Sequence, residues 1–270
     1  MIVGATCSQA PADPPPAPEG YKWVRNEAFW DDFDGDRLDE TKWYDHHPRW
    51  KGRPPAKFVP EAVSVQDGLL VIRNRMLDKP DGPYTIGGGA VVSKSDQAHY
   101  GYYEVRMKAS KVSMSSTFWF SNKPLREGDR WTAQELDVQE TVGAPKRSKN
   151  RHMGMFSNTH YWVGGKQGKF DEAVGDHTAL PSPAGEEFHV YGVWWVDPNT
   201  IHFYLNGKYV YTIHPSTKFD ETPFDRPMWL NLVTETYNWE TPPTPDELAD
   251  DSRNATYYDY VHAWKLVPAE

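Results

Sequence analysis

Three carboxylates fall within six residues in Gln134-Glu135-Leu136-Asp137-Val138-Gln139-Glu140, and Trp131 stands just upstream. Paired carboxylates cleave glycosidic bonds: one attacks the sugar or activates water, and the other protonates the leaving oxygen. In an extended strand alternate residues share a face, so Glu135 and Asp137 point together and Glu140 points away. One extra residue, accommodated as a β-bulge at Val138-Gln139, returns Glu140 to the shared face. Like charges crowded on one face cost stability, which a protein sustains where the charges do chemistry. On such a strand the two glutamate Cα atoms lie about 13 Å apart at about 3.3 Å per residue. Side chains leaning inward bring their carboxyls to about 5–6 Å, near the separation of about 5–5.5 Å of a retaining glycosidase. Asp137 between them can then hold the nucleophile by a hydrogen bond. For the triplet taken alone, a solvated acidic strand face is the plain alternative.

The elements that must position these groups read as strands. Val63-Ser64-Val65 and Leu69 to Ile72 flank a Gln66-Asp67-Gly68 turn, and Tyr102 to Met107 alternates. Trp194 to Val196, Ile201 to Leu205 and Lys208 to Ile213 form a meander whose second turn is Asn206-Gly207, a strong hairpin signal. Met228 to Thr236 and Tyr257 to Val267 are further strands, and no segment sustains a helical period. The expected fold is all-β, a jelly-roll sandwich of two antiparallel sheets. Residues 1–20 include the Pro-rich run 8–18 and are expected to be a linker or processed leader; residues 21–270 are expected to be one domain.

Composition narrows the function classes. A net charge of −9 argues against nucleic acid as a partner, since phosphate binding needs a basic surface. Twelve Trp and fifteen Tyr exceed what a core needs, and flat rings suit sugar faces. Cys7 is the only cysteine, which excludes an internal disulfide and a cysteine metal cluster. No run of 18 apolar residues is present, so no transmembrane helix is expected. The ten His show no His-x-x-x-His spacing, so no catalytic metal is expected. Cys7 before a polar, Pro-rich stretch is similar to a bacterial lipoprotein start, so a secreted or outer-membrane-anchored location is expected. No partner protein is implied, and a monomer is expected.

At Glu135-Leu136-Asp137-Val138-Gln139-Glu140 the chain resembles glycoside hydrolase family 16. Phe33-Asp34-Gly35, Tyr100-Gly101-Tyr102-Tyr103-Glu104-Val105-Arg106, Thr117-Phe118-Trp119-Phe120, Leu205-Asn206-Gly207 and Tyr258-Asp259-Tyr260-Val261 extend the likeness over about residues 21–268. The resemblance implies a concave jelly roll with a polysaccharide cleft, Glu135 as nucleophile, Asp137 as its helper and Glu140 as acid/base. Trp50-Lys51-Gly52-Arg53-Pro54-Pro55 and Gln139-Glu140-Thr141-Val142-Gly143 look like the agarase and porphyranase branch. That branch implies endo cleavage of β-1,4 galactosidic bonds in red-algal galactans. Sulfated porphyran is favoured over neutral agarose. Other glucanase or carrageenase activities and a non-catalytic jelly-roll lectin are the alternatives.

Six further residues are expected to bind substrate. Trp50 and Trp131 are candidate stacking rings, although Trp131 also suits a core. Arg53 and Arg130, near those tryptophans in sequence, are candidates for a sulfate, because a planar guanidinium matches a fork of oxygens; ordinary surface arginines are the alternative. His160 would lie near the acid/base, though a lone His is more often structural. Glu235 shares a strand face with Trp229, Asn231 and Val233, polar enough to be a cleft wall. The resemblance also implies a structural calcium held by Asp259 near Asp34 and Gly35, with backbone carbonyls completing the shell.

Overall fold

The computed structural model describes residues 13–166 and 168–270. Cys7 lies outside the described residues. Two eight-stranded antiparallel sheets face each other. The first runs in the order Gly168–Ala179, Gly154–Gly165, Arg130–Val142, Ser115–Ser121, Trp229–Val233, Ala90–Ser93 and Trp43–Tyr44, with Leu125–Glu127 added to Arg130–Val142. The second runs Lys208–Ile213, Thr200–Leu205, His189–Asp197, Gly101–Lys108, Ala255–Pro268, Leu69–Arg73 and Val63–Gln66, with Tyr21–Arg25 paired to Ala255–Pro268. A small third sheet joins Ala56–Phe58, Tyr84–Gly88 and Arg75–Asp81. The all-β jelly-roll expectation holds.

Alternation assigns the faces. Phe118, Phe120, Leu136, Leu230 and Leu232 of the first sheet pack against Tyr103, Val105, Tyr191, Val193 and Val261 of the second in one continuous core. Their strand neighbours Trp119, Asp137 and Asn231 therefore point away from the core, into the cleft. The turns follow their residues. Asp67-Gly68 and Asn206-Gly207 both place two successive residues at positive φ, 53° and 72° in the first and 50° and 74° in the second. That geometry matches the twist of the strands it joins.

The edges of the expected elements moved by up to five residues, the strand expected from Trp194 starting at His189. The Met228–Thr236 expectation becomes Trp229–Val233. The chain stays extended beyond Val233, because the Ser115 N–H donates to the Glu235 carbonyl at 2.8 Å and the Glu235 N–H donates to Ser115 Oγ at 3.0 Å. At the other end of the domain, Trp23 Nε1 donates to the Pro15 carbonyl at 2.6 Å and the Ala269 N–H to the Gly20 carbonyl at 2.8 Å. No helix among the described residues is long and apolar enough to cross a membrane.

Candidate active site

The bulge forms where the charge spacing requires it. Against Ser115–Ser121, Gln139 pairs with Phe118 and Asp137 with Trp119, leaving Val138 as the extra residue. Val138 enters the core, and Glu140 returns to the cleft face opposite Thr117. Side chains replace the interrupted ladder toward Gly154–Gly165. Ser157 Oγ donates to the Val138 carbonyl at 2.7 Å. Gln139 is fully buried; its Nε2 donates to the Gly154 carbonyl at 3.2 Å and its Oε1 accepts from the Phe156 N–H at 2.9 Å. A buried backbone group left unpaired costs roughly 1–3 kcal/mol, so these bonds make the bulge a stable feature.

Glu135, Asp137 and Glu140 line one cleft with Trp50, Arg53 and Glu235. Trp119, Thr117 and Tyr237 complete the wall. Burial pushes Glu135 up to about 7, His160 opposes that shift, and Glu140 adds to it. Asp137, nearly inaccessible, is pushed well above the usual carboxylate range by burial and then by the neighbouring Glu140 and Glu135. A carboxylic acid kept neutral in this way can donate a hydrogen bond to an ionised neighbour. Tyr237 is buried and donates its phenol proton to Glu140 Oε1 at 2.8 Å.

His160 pairs across the ladder with Glu135. Its Nδ1 lies 2.8 Å from Asp171 Oδ2, and its Nε2 lies 3.0 Å from Asn158 Nδ2 and 3.5 Å from Asp137 Oδ2. With Nδ1–H donated to Asp171, Nε2 accepts from the Asn158 amide. Glu135, Asp137 and His160 are the one group of three among the described residues whose donor atoms lie within reach of a common ion.

The Trp50 loop is fixed by aromatic packing and by one glycine. Gly52 has φ +109°, and a Cβ there would press on the Ala56 carbonyl and the Lys57 Cα. Trp50 meets Phe58 edge-on at 5.1 Å and His47 at 5.7 Å. Burial lowers His47 to about 4, so it packs as a neutral ring. Arg53 follows, its guanidinium 5.7 Å from the Trp50 ring and 5.2 Å from Tyr237, with Nη1 3.4 Å from Glu235 Oε2. Burial pushes Glu235 up to about 8; Arg53 works against the shift, while Glu140 and Glu135 favour it. Glu235 Oε2 is buried and has no hydrogen-bond partner, which suits a polar ligand atom.

Trp131 points to the cleft side, its indole lying over Gly164, where any Cβ would overlap the ring. Arg130 is not brought to the carboxylates. It lines a hollow with Trp131, Tyr161, Asp220 and Arg226, beyond the cleft that holds the three carboxylates. The Asp259 expectation also needs correction. Its Oδ2 lies 2.6 Å from Arg106 Nη1, so a guanidinium already neutralises it. Asp34 and Gly35 line a separate hollow, without Asp259, together with Asp31, Asp32, Asp39 and three cationic side chains, Arg25, Arg37 and Lys42. These residues do not fit the expected calcium shell. Tyr237, Asn158 and Asp171 were not anticipated. Asn158 was reachable by counting in twos from His160, whereas Tyr237 comes from an irregular segment that carries no period.

The sequence profile "Beta-porphyranase A-D, GH16 domain" matches residues 23–266. The chain belongs to the porphyranase branch of glycoside hydrolase family 16. It is therefore a glycoside hydrolase. Beta-porphyranase E of Zobellia galactanivorans is 52% identical over 256 residues, covering 94% of this chain and 91% of that protein. The crystal structure of a beta-porphyranase from the human gut bacterium Bacteroides plebeius superposes with a TM-score of 0.90 at 48% identity, covering 95% of this chain and 96% of the other. Beta-agarase A of Zobellia galactanivorans shares the family 16 fold, with a TM-score of 0.80 at 22% identity.

Proposed function

We propose that this family 16 enzyme is an endo-acting, retaining β-galactanase that cleaves β-1,4 galactosidic bonds of porphyran. The observation that carries the reading is the bulged strand, which puts both glutamates of the signature on one cleft face within a chain about half identical to beta-porphyranases. A Glu135 carboxylate oxygen attacks the anomeric carbon. The bond from that carbon to the leaving oxygen breaks, and Glu140 gives the oxygen its proton. Protonated Asp137 donates to Glu135 and orients it. In the second step Glu140 takes a proton from water, the water oxygen attacks the anomeric carbon, and Glu135 is released. Two displacements at one carbon retain its configuration.

Around that centre, Trp50 and Trp131 are the stacking surfaces. Arg53, lying over Trp50 and beside Glu235, is the cation placed for a substrate sulfate. We assign a sugar hydroxyl to Glu235, whose Oε2 has no hydrogen-bond partner; His160, with both ring nitrogens engaged by Asp171 and Asn158, holds the wall beside Glu135. A polymeric substrate meets its enzyme outside the cytoplasm, so secretion is the matching location, and anchoring through Cys7 is its narrower form.

The test is product analysis on porphyran, agarose, κ-carrageenan and laminarin in parallel, with Glu135→Gln as control. Sulfated oligosaccharides released from porphyran by the parent chain alone are the expected result. Preference for agarose would keep the mechanism and remove the sulfate role of Arg53. Binding of porphyran with no turnover by the parent chain would return the lectin reading.

A further inference from the structure

Tyr237, the wall of the cleft beside Glu140, leads to an aromatic step that the chemistry above does not use. Trp239 stacks on Tyr237, ring centroids 4.4 Å apart and planes 19° from parallel. Tyr237 is covered, whereas Trp239 leaves 42% of its surface open. Arg151 stands beside it, with its guanidinium 5.3 Å from the Trp239 ring and 4.4 Å from Phe156. Phe156 alternates with Asn158 and His160, so it too faces the cleft.

The platform is built rather than incidental. The Glu240 carboxylate accepts backbone N–H groups from Lys146 at 3.1 Å, Arg147 at 2.9 Å and Ser148 at 3.1 Å. These bonds fasten the segment carrying Trp239 to the one carrying Arg151. Arg151 Nη1 also donates to the Glu140 carbonyl at 3.2 Å. An open indole, a cation beside it and a rigid frame tied to the acid/base make a seat for an anionic sugar.

We infer that Trp239 and Arg151 form a subsite on the leaving-group side, with Trp239 under the ring of a departing sugar and Arg151 facing its sulfate. The inference rests on the proposed roles of Glu140 and of a sulfated galactan. The side follows from position. The group that protonates the leaving oxygen stands next to the departing sugar, and Trp239 lies one ring beyond the phenol bonded to that group. Trp131 and His160 lie at the Glu135 end instead. A guanidinium meets a sulfate through paired hydrogen bonds, and an indole offers a flat apolar face to a sugar.

Two substrates separate this role from a structural one. Porphyran occupies both sides of the scissile bond; the β-fluoride of its repeating disaccharide has no sugar to place on the leaving side. Trp239→Ala should lower kcat/KM on porphyran by about tenfold more than on the fluoride, the order of one aromatic contact, and chiefly through KM. Trp239→Phe, which keeps a ring, should recover most of the difference. Equal losses on the two substrates in both variants would overturn the subsite. Arg151→Gln should lower activity on porphyran several-fold more than on agarose, and an equal loss would overturn the sulfate contact. If the parent enzyme prefers agarose, the porphyran reading fails on its own, and the Trp239 comparison is then made with agarose and the corresponding neutral fluoride.

Discussion

Each sheet contains a strand that bulges beside an aspartate, and the two bulges serve opposite ends. In Arg130–Val142 the extra residue is apolar Val138, and its effect is to crowd Glu140 against Asp137 and Glu135. In Ala255–Pro268 the pairing with Gly101–Lys108 slips between Tyr258 and Tyr260, so Asp259 is itself the extra residue. Asp259 meets Arg106 at 2.6 Å. One backbone device thus yields a cluster of like charges in the cleft and a neutralised pair on the other sheet. The difference lies in the company each carboxylate keeps. Asp137 has three glutamates around it against the opposing charge of Arg151, and burial dominates its shift. Reactivity is concentrated where electrostatics are unfavourable, and stability where they are favourable.

Breaking the cleft side should show the largest effects. Glu135→Gln is expected to lower kcat on porphyran by on the order of 10⁴-fold or more, with binding of the polymer preserved in affinity electrophoresis. Deleting Val138 tests the bulge itself. Strict alternation then carries Glu140 to the cleft face without an extra residue, so reducing-sugar assays should find activity well above that of Glu140→Gln. A folded deletion variant as inactive as Glu140→Gln would contradict the register argument. Asp137→Asn keeps shape and removes the acid, so kcat should fall by about 10²-fold while the melting temperature holds or rises.

The opposite sheet should answer in the opposite way. Asp259→Asn leaves the Arg106 guanidinium without its partner, and denaturant unfolding should show a loss of about 1–3 kcal/mol with kcat unchanged. Loss of activity without loss of stability in this variant would contradict the contrast.

The smallest effect concerns pH. Glu235 sits at about 8 in the fold against its ordinary 4.5. Between those values the folded protein holds a proton that the unfolded chain has released. This contribution is therefore full below about pH 4.5 and is lost as pH rises to about 8. Glu235→Gln should flatten the fall of melting temperature over that window, so its advantage over the parent grows with pH. Burial acts on His47 in the reverse sense. Its value of about 4 against 6.5 makes stability rise with pH across that interval.

The sequence carried the centre of the site because like charge at awkward spacing has few explanations. Three carboxylates that alternation would separate implied an extra residue, and the ladder contains it at Val138. The hairpin turns were legible for a similar reason, since Asn206-Gly207 and Asp67-Gly68 tolerate positive φ. Arg130 does share a hollow with its sequence neighbour Trp131, but that hollow holds none of the three carboxylates, and its distance from them is not legible in the strand itself. Asp259 was misplaced because nothing in its own strand announces Arg106, which comes from a neighbour 153 positions away. Tyr237, Trp239 and Arg151 sit in irregular segments whose placement depends on tertiary bonds such as those of Glu240.

The most direct test of the retaining centre is to trap its covalent intermediate. The protein would be incubated with a 2-fluoro derivative of the β-fluoride of the porphyran disaccharide, digested, and read by mass spectrometry. The account predicts one added glycosyl mass, located on Glu135. No adduct accompanied by a product of inverted configuration, or an adduct on Asp137 or Glu140, would contradict it.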